Sequence, residues 1–395
     1  MLVTGNLMQR VSQARAAAFE ALEQVLEGSY ASDALREKSP SLAPRDAALA
    51  SQIVFGCLRF QKQLDYLIWH YSGRKVETLD ALVKIALHTA IFQLRYLERI
   101  PAHAAVHDSV EFVKARHRAA AGLVNAVLRK VNRSPVKWPD EATELSIPEW
   151  LLARWSEHFG HEQARAIALA ALSEPLRYIR IRPGAEAPAG IQTEPTEVAG
   201  AHRLLSPLAG IRLQDIGSQA IIPLLELAPA QRYLDVCSAP GNKTLQALET
   251  PLNLAIACDI SERRIREVPP VCPRVVLDAT APLPFNIRFD RIFIDAPCSG
   301  TGTLARNPEI KWRLEERELA RFRDKQIAIV RHTIEALEPG GKLLYATCSL
   351  EREENEDVIE RVLAGHSGIV REHEVWRLPG RDEGDGFYAV VLASR

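Results

Sequence analysis

Nothing in the 395-residue sequence approaches the ~18 consecutive apolar residues of a membrane-spanning helix, and no apolar block follows the first basic residues as in a secretory leader. A soluble, cytoplasmic protein that binds no membrane is therefore expected. The six cysteines (Cys57, Cys237, Cys258, Cys272, Cys298 and Cys348) form no CxxC pair, so no metal is expected and free thiols are the default. There is no GxGxxG turn, which disfavours a dinucleotide. Repeats and low-complexity tracts are also absent. With 47% hydrophobic and 25% charged residues the composition is ordinary for a globular chain, which excludes disordered and fibrous classes. At ~100–200 residues per domain the length implies two to three domains.

Net charge is only −1, but it is unevenly spread. Residues 1–140 carry 19 Lys+Arg against 13 Asp+Glu, so +6, and the other 255 carry 30 against 37, so −7. Between Phe112 and Pro139 no acid occurs at all, while Lys114, Arg116, Arg118, Arg129, Lys130, Arg133 and Lys137 do. Such a run is either a solvated helical face or a site for a polyanion. Met1–Leu7 precede a second methionine, Met8, and read as an extension or a start placed too early.

Up to about residue 135 the spacing is helical throughout. Leu79, Leu82, Val83, Ala86, Ala90, Leu94 and Leu97 recur every three to four residues, and Ala120, Leu123, Val124, Val127, Leu128 and Val131 repeat the stripe. A Pro-bearing linker at 133–139 follows, then a helix predicted over Pro148–Leu172. The alternation at Ile179–Arg182 reads as a half-exposed strand, and residues 183–200 read as a loop. From about Gln231 short apolar runs end at Val236, Ala257, Leu277, Ile294 and Tyr345. A helix predicted over Glu316–Leu337 stops at Pro339-Gly340-Gly341, and Gly384–Leu392 feeds a last strand. This rhythm is that of a mostly parallel, doubly wound sheet. The division expected is a helical head at 1–137, a connecting subdomain at 138–213 and a catalytic α/β domain at 214–395.

Ligands of such sheets bind beyond the carboxyl ends of the strands. The first run ends in Asp235-Val-Cys-Ser-Ala-Pro-Gly241-Asn-Lys-Thr244, a small-residue turn that lets backbone amides approach a ligand. Asp259 ends the second, placed to accept from ribose hydroxyls, and Asp278 ends the third; acids after three strands point to a nucleoside pocket. The fourth ends in Asp295-Ala-Pro-Cys298 and the fifth in Ala346-Thr-Cys348-Ser349. Two thiols at one sheet rim suit a nucleophile once a thiolate forms, with Lys243 a candidate electropositive neighbour and Asp295 a candidate partner for a substrate ring. Core packing and a redox dithiol are the competing readings.

These motifs, with Glu354-Asn355, Arg306–Trp312, Gly384–Phe387 and the lead-in Gln214-Asp215 and Ser218-Gln219, resemble the S-adenosylmethionine-dependent RNA cytosine-C5 methyltransferases. The head is similar to the NusB family at Arg99–Val106 and Gly122–Arg129. Together they resemble the RsmB (Sun, Fmu) type of bacterial 16S rRNA methyltransferase. The resemblance implies a NusB-like all-α domain followed by a Rossmann-like class I methyltransferase domain. It implies Cys348 as the nucleophile at cytosine C6, Cys298 assisting release, and Asp295 and Lys243 beside the reacting ring. For S-adenosylmethionine it implies Cys237, Ser238, Ala239, Pro240, Gly241, Asn242, Lys243, Asp259, Arg264, Asp278 and Asp295. The partner implied is RNA, foremost unassembled or partly assembled 16S rRNA, rather than DNA, and a monomer is expected. The same chemistry on tRNA or another rRNA site, and a non-catalytic ribosome assembly factor, are the alternatives; Arg180 and Arg182 are further candidates for phosphates. One departure stands out: Asn242 occupies a position where the family's turn has glycine. Asn tolerates the left-handed conformation, and its side chain is expected to crowd the cofactor.

Overall fold

The computed structural model describes residues 11–206 and 210–395, so the question of Met1 or Met8 lies outside the described residues. The chain divides into two units, one of residues 1–154 with 305–313 and one of residues 155–304 with 314–395.

In the first unit the three-to-four spacing folds as expected into helices. They are Gln13–Leu26, Ala31–Lys38, Pro44–Arg59, Gln61–Ser72, Ala81–Tyr96, Ala102–Arg116 and Ala121–Leu128. Their apolar stripes meet in one core that includes Ile53, Leu64, Ile91 and Val124. Phe19 and Phe112 stack there at 4.0 Å between ring centroids. A buried ion pair lies in this bundle: Arg15 is paired with Asp108 at 3.1 Å and bonded to Gln93 at 2.6 Å. Pairing of this kind is what makes a buried guanidinium tolerable.

The segment Ala305–Arg313 belongs to this unit although its sequence lies among the methyltransferase-like motifs. Glu309 Oε1 accepts from the Ala31 amide at 2.9 Å, and Trp312 Nε1 donates to the Leu58 carbonyl at 2.6 Å. Lys311 is fully buried; its Nζ donates to the carbonyls of Arg59 and Ser146 at 2.9 and 2.6 Å. Burial, helped by the charge of Arg59, pulls its pKa well below the ordinary lysine value.

Two boundaries differ from the sequence reading. The helix expected over 148–172 is two, Glu149–Phe159 and His161–Leu172, because Gly160 between them takes a left-handed φ of 83°. The loop expected over 183–200 contains a short strand. Strands β1 (Tyr178–Arg180), β2 (Thr193–Pro195) and β3 (Ala201–Leu204) form a small antiparallel sheet in the order β1-β3-β2. Pro195 is tolerated because β2 is an edge strand.

The main sheet has seven strands: β4 (Arg232–Asp235), β5 (Leu254–Asp259), β6 (Arg274–Val276), β7 (Phe289–Asp295), β8 (Leu337–Thr347), β9 (Ile369–Arg377) and β10 (Phe387–Ser394). Their order is β6-β5-β4-β7-β8-β10-β9. The first five run parallel, and β10 is antiparallel to both β8 and β9. Both faces are buried, which is why the runs read as continuously apolar. Ile292, Ile294, Leu343, Tyr345, Val390 and Leu392 point into one core, and Phe293, Leu344, Ala346, Ala389 and Val391 into the other.

The helix predicted to reach Leu337 ends at Ile334, and Leu337 already pairs with Phe289 in the sheet. The Pro339-Gly340-Gly341 turn sits inside β8 as an irregularity, with Gly340 at φ 73°. Among the described residues no helix is long and apolar enough to cross a membrane.

Candidate active site

The parallel strands β4, β5, β7 and β8 end at Asp235, Asp259, Asp295 and Thr347, so their following loops gather at one rim. After β4 the turn is closed by Gly241 at φ 96°, a conformation that costs glycine nothing. A Cβ there would also meet Val268 Cγ1 at 3.0 Å and Pro269 Cδ at 3.1 Å. Ser238 fastens the turn to β5: its amide and hydroxyl both donate to the Cys258 carbonyl, at 2.7 and 2.9 Å. Arg264 Nη2 donates to the Ala239 carbonyl at 2.9 Å, and its Nη1 lies 3.9 Å from Asp259 Oδ2.

The left-handed residue is thus Gly241 and not Asn242, which opens the helix Asn242–Ala247 instead. Nor is the Asn242 side chain free to swing into the turn. Its Nδ2 donates to the Leu213 carbonyl at 3.0 Å and its Oδ1 accepts from Arg212 at 2.8 Å. Arg212 also donates to the Pro240 carbonyl at 3.0 Å.

Asp235 is fully buried. Its Oδ2 accepts from Thr244 at 2.7 Å, whereas its Oδ1 is buried without a hydrogen-bond partner. Burial raises its pKa to about 7, against the relief from Thr244 and with the charge of Asp295 adding to the rise. Asp259 is buried as well, with the Ser261 amide on its Oδ1 at 2.9 Å. Asp278 stands apart: it is exposed and bonds the amide and hydroxyl of Thr280, which hold its carboxyl below the usual range. Burial pushes the Cys237 thiol up.

The β7 and β8 loops bring four predicted residues together. Lys243 Nζ bonds Asp295 Oδ2 at 2.6 Å and lies 5.0 Å from the Phe387 ring centroid. Burial works against the ammonium charge, but Asp295 and Cys348 outweigh it, and the lysine pKa is raised. Cys298 and Cys348 face each other with 3.3 Å between sulfurs, both as free thiols. The hydrogen bond to Cys348 comes first, then burial, in pushing the Cys298 thiol well up.

Beneath the sulfurs lies a polar network that the sequence did not reveal beyond the Glu354-Asn355 motif. Glu354 is fully buried; its Oε1 accepts from the Ser299 amide at 2.8 Å and from Gln326 at 3.2 Å. Its Oε2 accepts from the hydroxyls of both Ser299 and Ser349. Burial raises its pKa and these donors lower it, with a net rise. Asn355 accepts from Thr347 Oγ1 at 2.6 Å and donates to the Ser349 carbonyl at 3.0 Å. Gly302 fits where no side chain would: a Cβ would lie 2.5 Å from the Gly386 carbonyl and 2.9 Å from that of Cys348. The repeated Cys-Ser pair at 298–299 and 348–349 was a further sign of this network.

The remaining candidates are engaged elsewhere. Arg180 pairs with Glu249 through Nε and Nη2, both at 2.6 Å, and Arg182 donates to the Glu249 carbonyl at 3.0 Å. Asp215 Oδ1 accepts from the amides of Gly217 and Asp385, joining the lead-in to the Gly384–Phe387 turn. Arg306–Trp312 lies in the first unit.

Comparison with known proteins agrees with this layout. Residues 222–393 match the family model of the 16S rRNA methyltransferase RsmB/F, and residues 12–133 match that of the NusB family. The ribosomal RNA small subunit methyltransferase B of Klebsiella pneumoniae (strain 342) is 33% identical over 96% of this chain and 98% of its own length. Its counterpart in Erwinia tasmaniensis is 31% identical over 98% of this chain and all of its own. Among solved structures PH0851 shares the fold, with a TM-score of 0.80 over 96% of this chain and 98% of that one at 20% identity. The chain therefore belongs to the RsmB/F family of 16S rRNA methyltransferases, with a NusB-family helical head, and is an RNA methyltransferase.

Proposed function

We propose that this protein transfers a methyl group from S-adenosylmethionine to C5 of a cytosine in 16S rRNA, through a covalent adduct on Cys348. The observation that carries the reading is the 3.3 Å approach of Cys298 and Cys348 at the rim of β7 and β8, beside the Lys243–Asp295 pair. The names of the curated relatives support the RNA.

Cytosine C5 is a poor nucleophile, and addition of a thiolate at C6 makes the ring an enamine-like donor. Cys348 makes that bond. Asp295 holds the ring edge, and Lys243 supplies positive charge beside it. Once C5 carries the methyl group, loss of its proton to a base restores the C5–C6 double bond and expels the Cys348 thiolate, with Cys298 assisting. The target base must leave its stack to reach the sulfurs, which favours looped or unassembled rRNA.

The residues fit S-adenosylmethionine, which supplies the methyl group on a sulfonium. The unpartnered Oδ1 of Asp235 and the buried Asp259 are acceptors at adjacent strand ends, and the segment from Cys237 to Lys243 forms the turn between them. Arg264 shapes that turn, and Asp278 is assigned the adenine side. We assign RNA binding to residues 1–137, connection to 138–213 and catalysis to 214–395, in a cytoplasmic monomer.

The test uses labelled S-adenosylmethionine with unmodified 16S rRNA. C5-methylcytosine is expected from wild type and none from Cys348→Ala, while Cys298→Ala accumulates a protein–RNA adduct. Product on tRNA alone would overturn the substrate, and no transfer to any RNA would overturn the reading.

A further inference from the structure

Between Leu343 and Glu351 every residue is buried except Cys348, which is partly exposed. Its neighbours Thr347 and Ser349 are buried completely. The Cys348 carbonyl accepts from the Gly302 amide at 2.8 Å, and the Leu350 amide donates to Thr301 Oγ1 at 2.9 Å. One side chain reaches both flanks of the cysteine. Asn355 Oδ1 accepts from Thr347 Oγ1 at 2.6 Å, and its Nδ2 donates to the Ser349 carbonyl at 3.0 Å. Thr347 Oγ1 in turn accepts from the Ser349 amide at 3.1 Å. A closed ring of hydrogen bonds thus joins residues 347, 349 and 355, with Cys348 between the two anchored neighbours.

Asn355 is fully buried and stands at the N-cap of the helix Glu356–Leu363. In that position an Asn side chain ordinarily accepts from the first amides of its own helix. Asn355 makes no such bond, so the helix forgoes a side-chain cap. A carboxylate would cap as well as an amide and would suit the helix dipole better. It could not donate to the Ser349 carbonyl. What the position requires of Asn is therefore the donor facing the Cys348 loop and not the start of the helix.

We propose that Asn355 is a positioning residue for Cys348: by bracketing Thr347 and Ser349 it fixes the direction in which the thiol leaves the sheet rim. The role rests on the proposed addition of Cys348 to cytosine C6. Attack on a ring carbon demands a fixed approach, and misplacing a reacting atom by about 1 Å can cost about 100-fold in rate. Thiolate formation makes no such demand, and the bonds from Asn355 go to oxygens of the neighbours rather than to the sulfur. The bracket governs aim rather than acidity. Glu354 ties the Cys298 and Cys348 loops to each other, whereas Asn355 works within the Cys348 loop.

The experiment compares Asn355→Asp, Thr347→Val and Thr347→Ser with wild type in the full chain. Methyl transfer from S-adenosylmethionine to 16S rRNA is measured well below every melting midpoint. In Asn355→Asp and Thr347→Val kcat is expected to fall about 10- to 100-fold, with KM for S-adenosylmethionine within about twofold of wild type. Thr347→Ser keeps the hydroxyl, and its kcat is expected to stay within about threefold. Hydrogen exchange reads the bracket directly: the peptide spanning 347–351 is expected to exchange about fivefold faster in Asn355→Asp, the loss of one net hydrogen bond. Unchanged kcat in Asn355→Asp, or slower turnover without faster exchange, overturns the proposal. So does a Thr347→Ser variant as slow as Thr347→Val. If wild type methylates no RNA, the proposed function falls. Exchange that still quickens in Asn355→Asp then keeps Asn355 as the residue that holds Cys348, and unchanged exchange removes it as well.

Discussion

The hydroxyls of Ser299 and Ser349, each following one of the two facing cysteines, donate to the same oxygen of Glu354. One buried carboxylate thus joins the two loops that carry the sulfurs. Glu354→Gln replaces one accepting oxygen with an NH₂ group and leaves at least one hydroxyl badly matched, at about 1–3 kcal/mol for a buried unsatisfied group. The variant is expected to melt lower and to transfer methyl groups roughly 10- to 100-fold more slowly, the scale of a misplaced reacting group. Unchanged turnover would mean that the loops hold the sulfurs without it.

The hydrogen bond to Cys348 and burial hold the Cys298 thiol well above its ordinary pKa. Limited alkylation with iodoacetamide near pH 8 is expected to label Cys348 before Cys298, because the thiolate is the reacting species. Peptide mass spectrometry over a time course gives the order, and equal or reversed labelling would contradict it.

Asp235 carries a stability signature in pH. Its carboxyl is raised from 3.8 to about 7, so between these values the folded chain holds a proton that the unfolded chain has released. Its contribution to stability therefore falls as pH climbs from about 4 to about 7, by a total on the order of 4 kcal/mol, and then levels off. Asp235→Asn cannot ionise. The Tm difference between variant and wild type is expected to widen in the variant's favour across that window, and a constant difference would refute the assignment.

The Asn242 side chain is held by hydrogen bonds to Arg212 and to the Leu213 carbonyl. Asn242→Gly, which restores the family's turn, is therefore expected to change S-adenosylmethionine affinity by less than about threefold, while removing two hydrogen bonds at ~1 kcal/mol each. Isothermal titration and thermal melting read the two effects. A large gain in affinity would mean that the side chain does obstruct the cofactor.

The sequence was most legible where periodicity or strand-end chemistry was strong. The stripe from Val83 to Ala90 and the apolar runs of β7, β8 and β10 are the core patterns they resemble, and Cys298, Cys348, Lys243 and Asp295 meet at the strand ends. What escaped depends on tertiary context. Strand β9 carries Arg371, Glu372, His373 and Glu374, charges suited to an exposed sheet edge but destructive of the apolar signal of a strand. Arg180 resembled a phosphate ligand only because Glu249, 69 positions away, is not a neighbour in sequence. Arg212 and Gln326 likewise acquire roles through partners that spacing does not reveal.

The placement of Ala305–Arg313 within the helical unit has a consequence for synthesis on the ribosome. From Arg154 to Ala305 is 151 positions, so at ~5–20 residues per second the head waits roughly 8–30 s for its last segment. During that interval the carbonyls of Val25, Leu58 and Arg59 lack the donors that Arg313, Trp312 and Lys311 later bring. The nascent helical bundle is an unfinished intermediate, and it is completed only after the Cys298 loop has been translated.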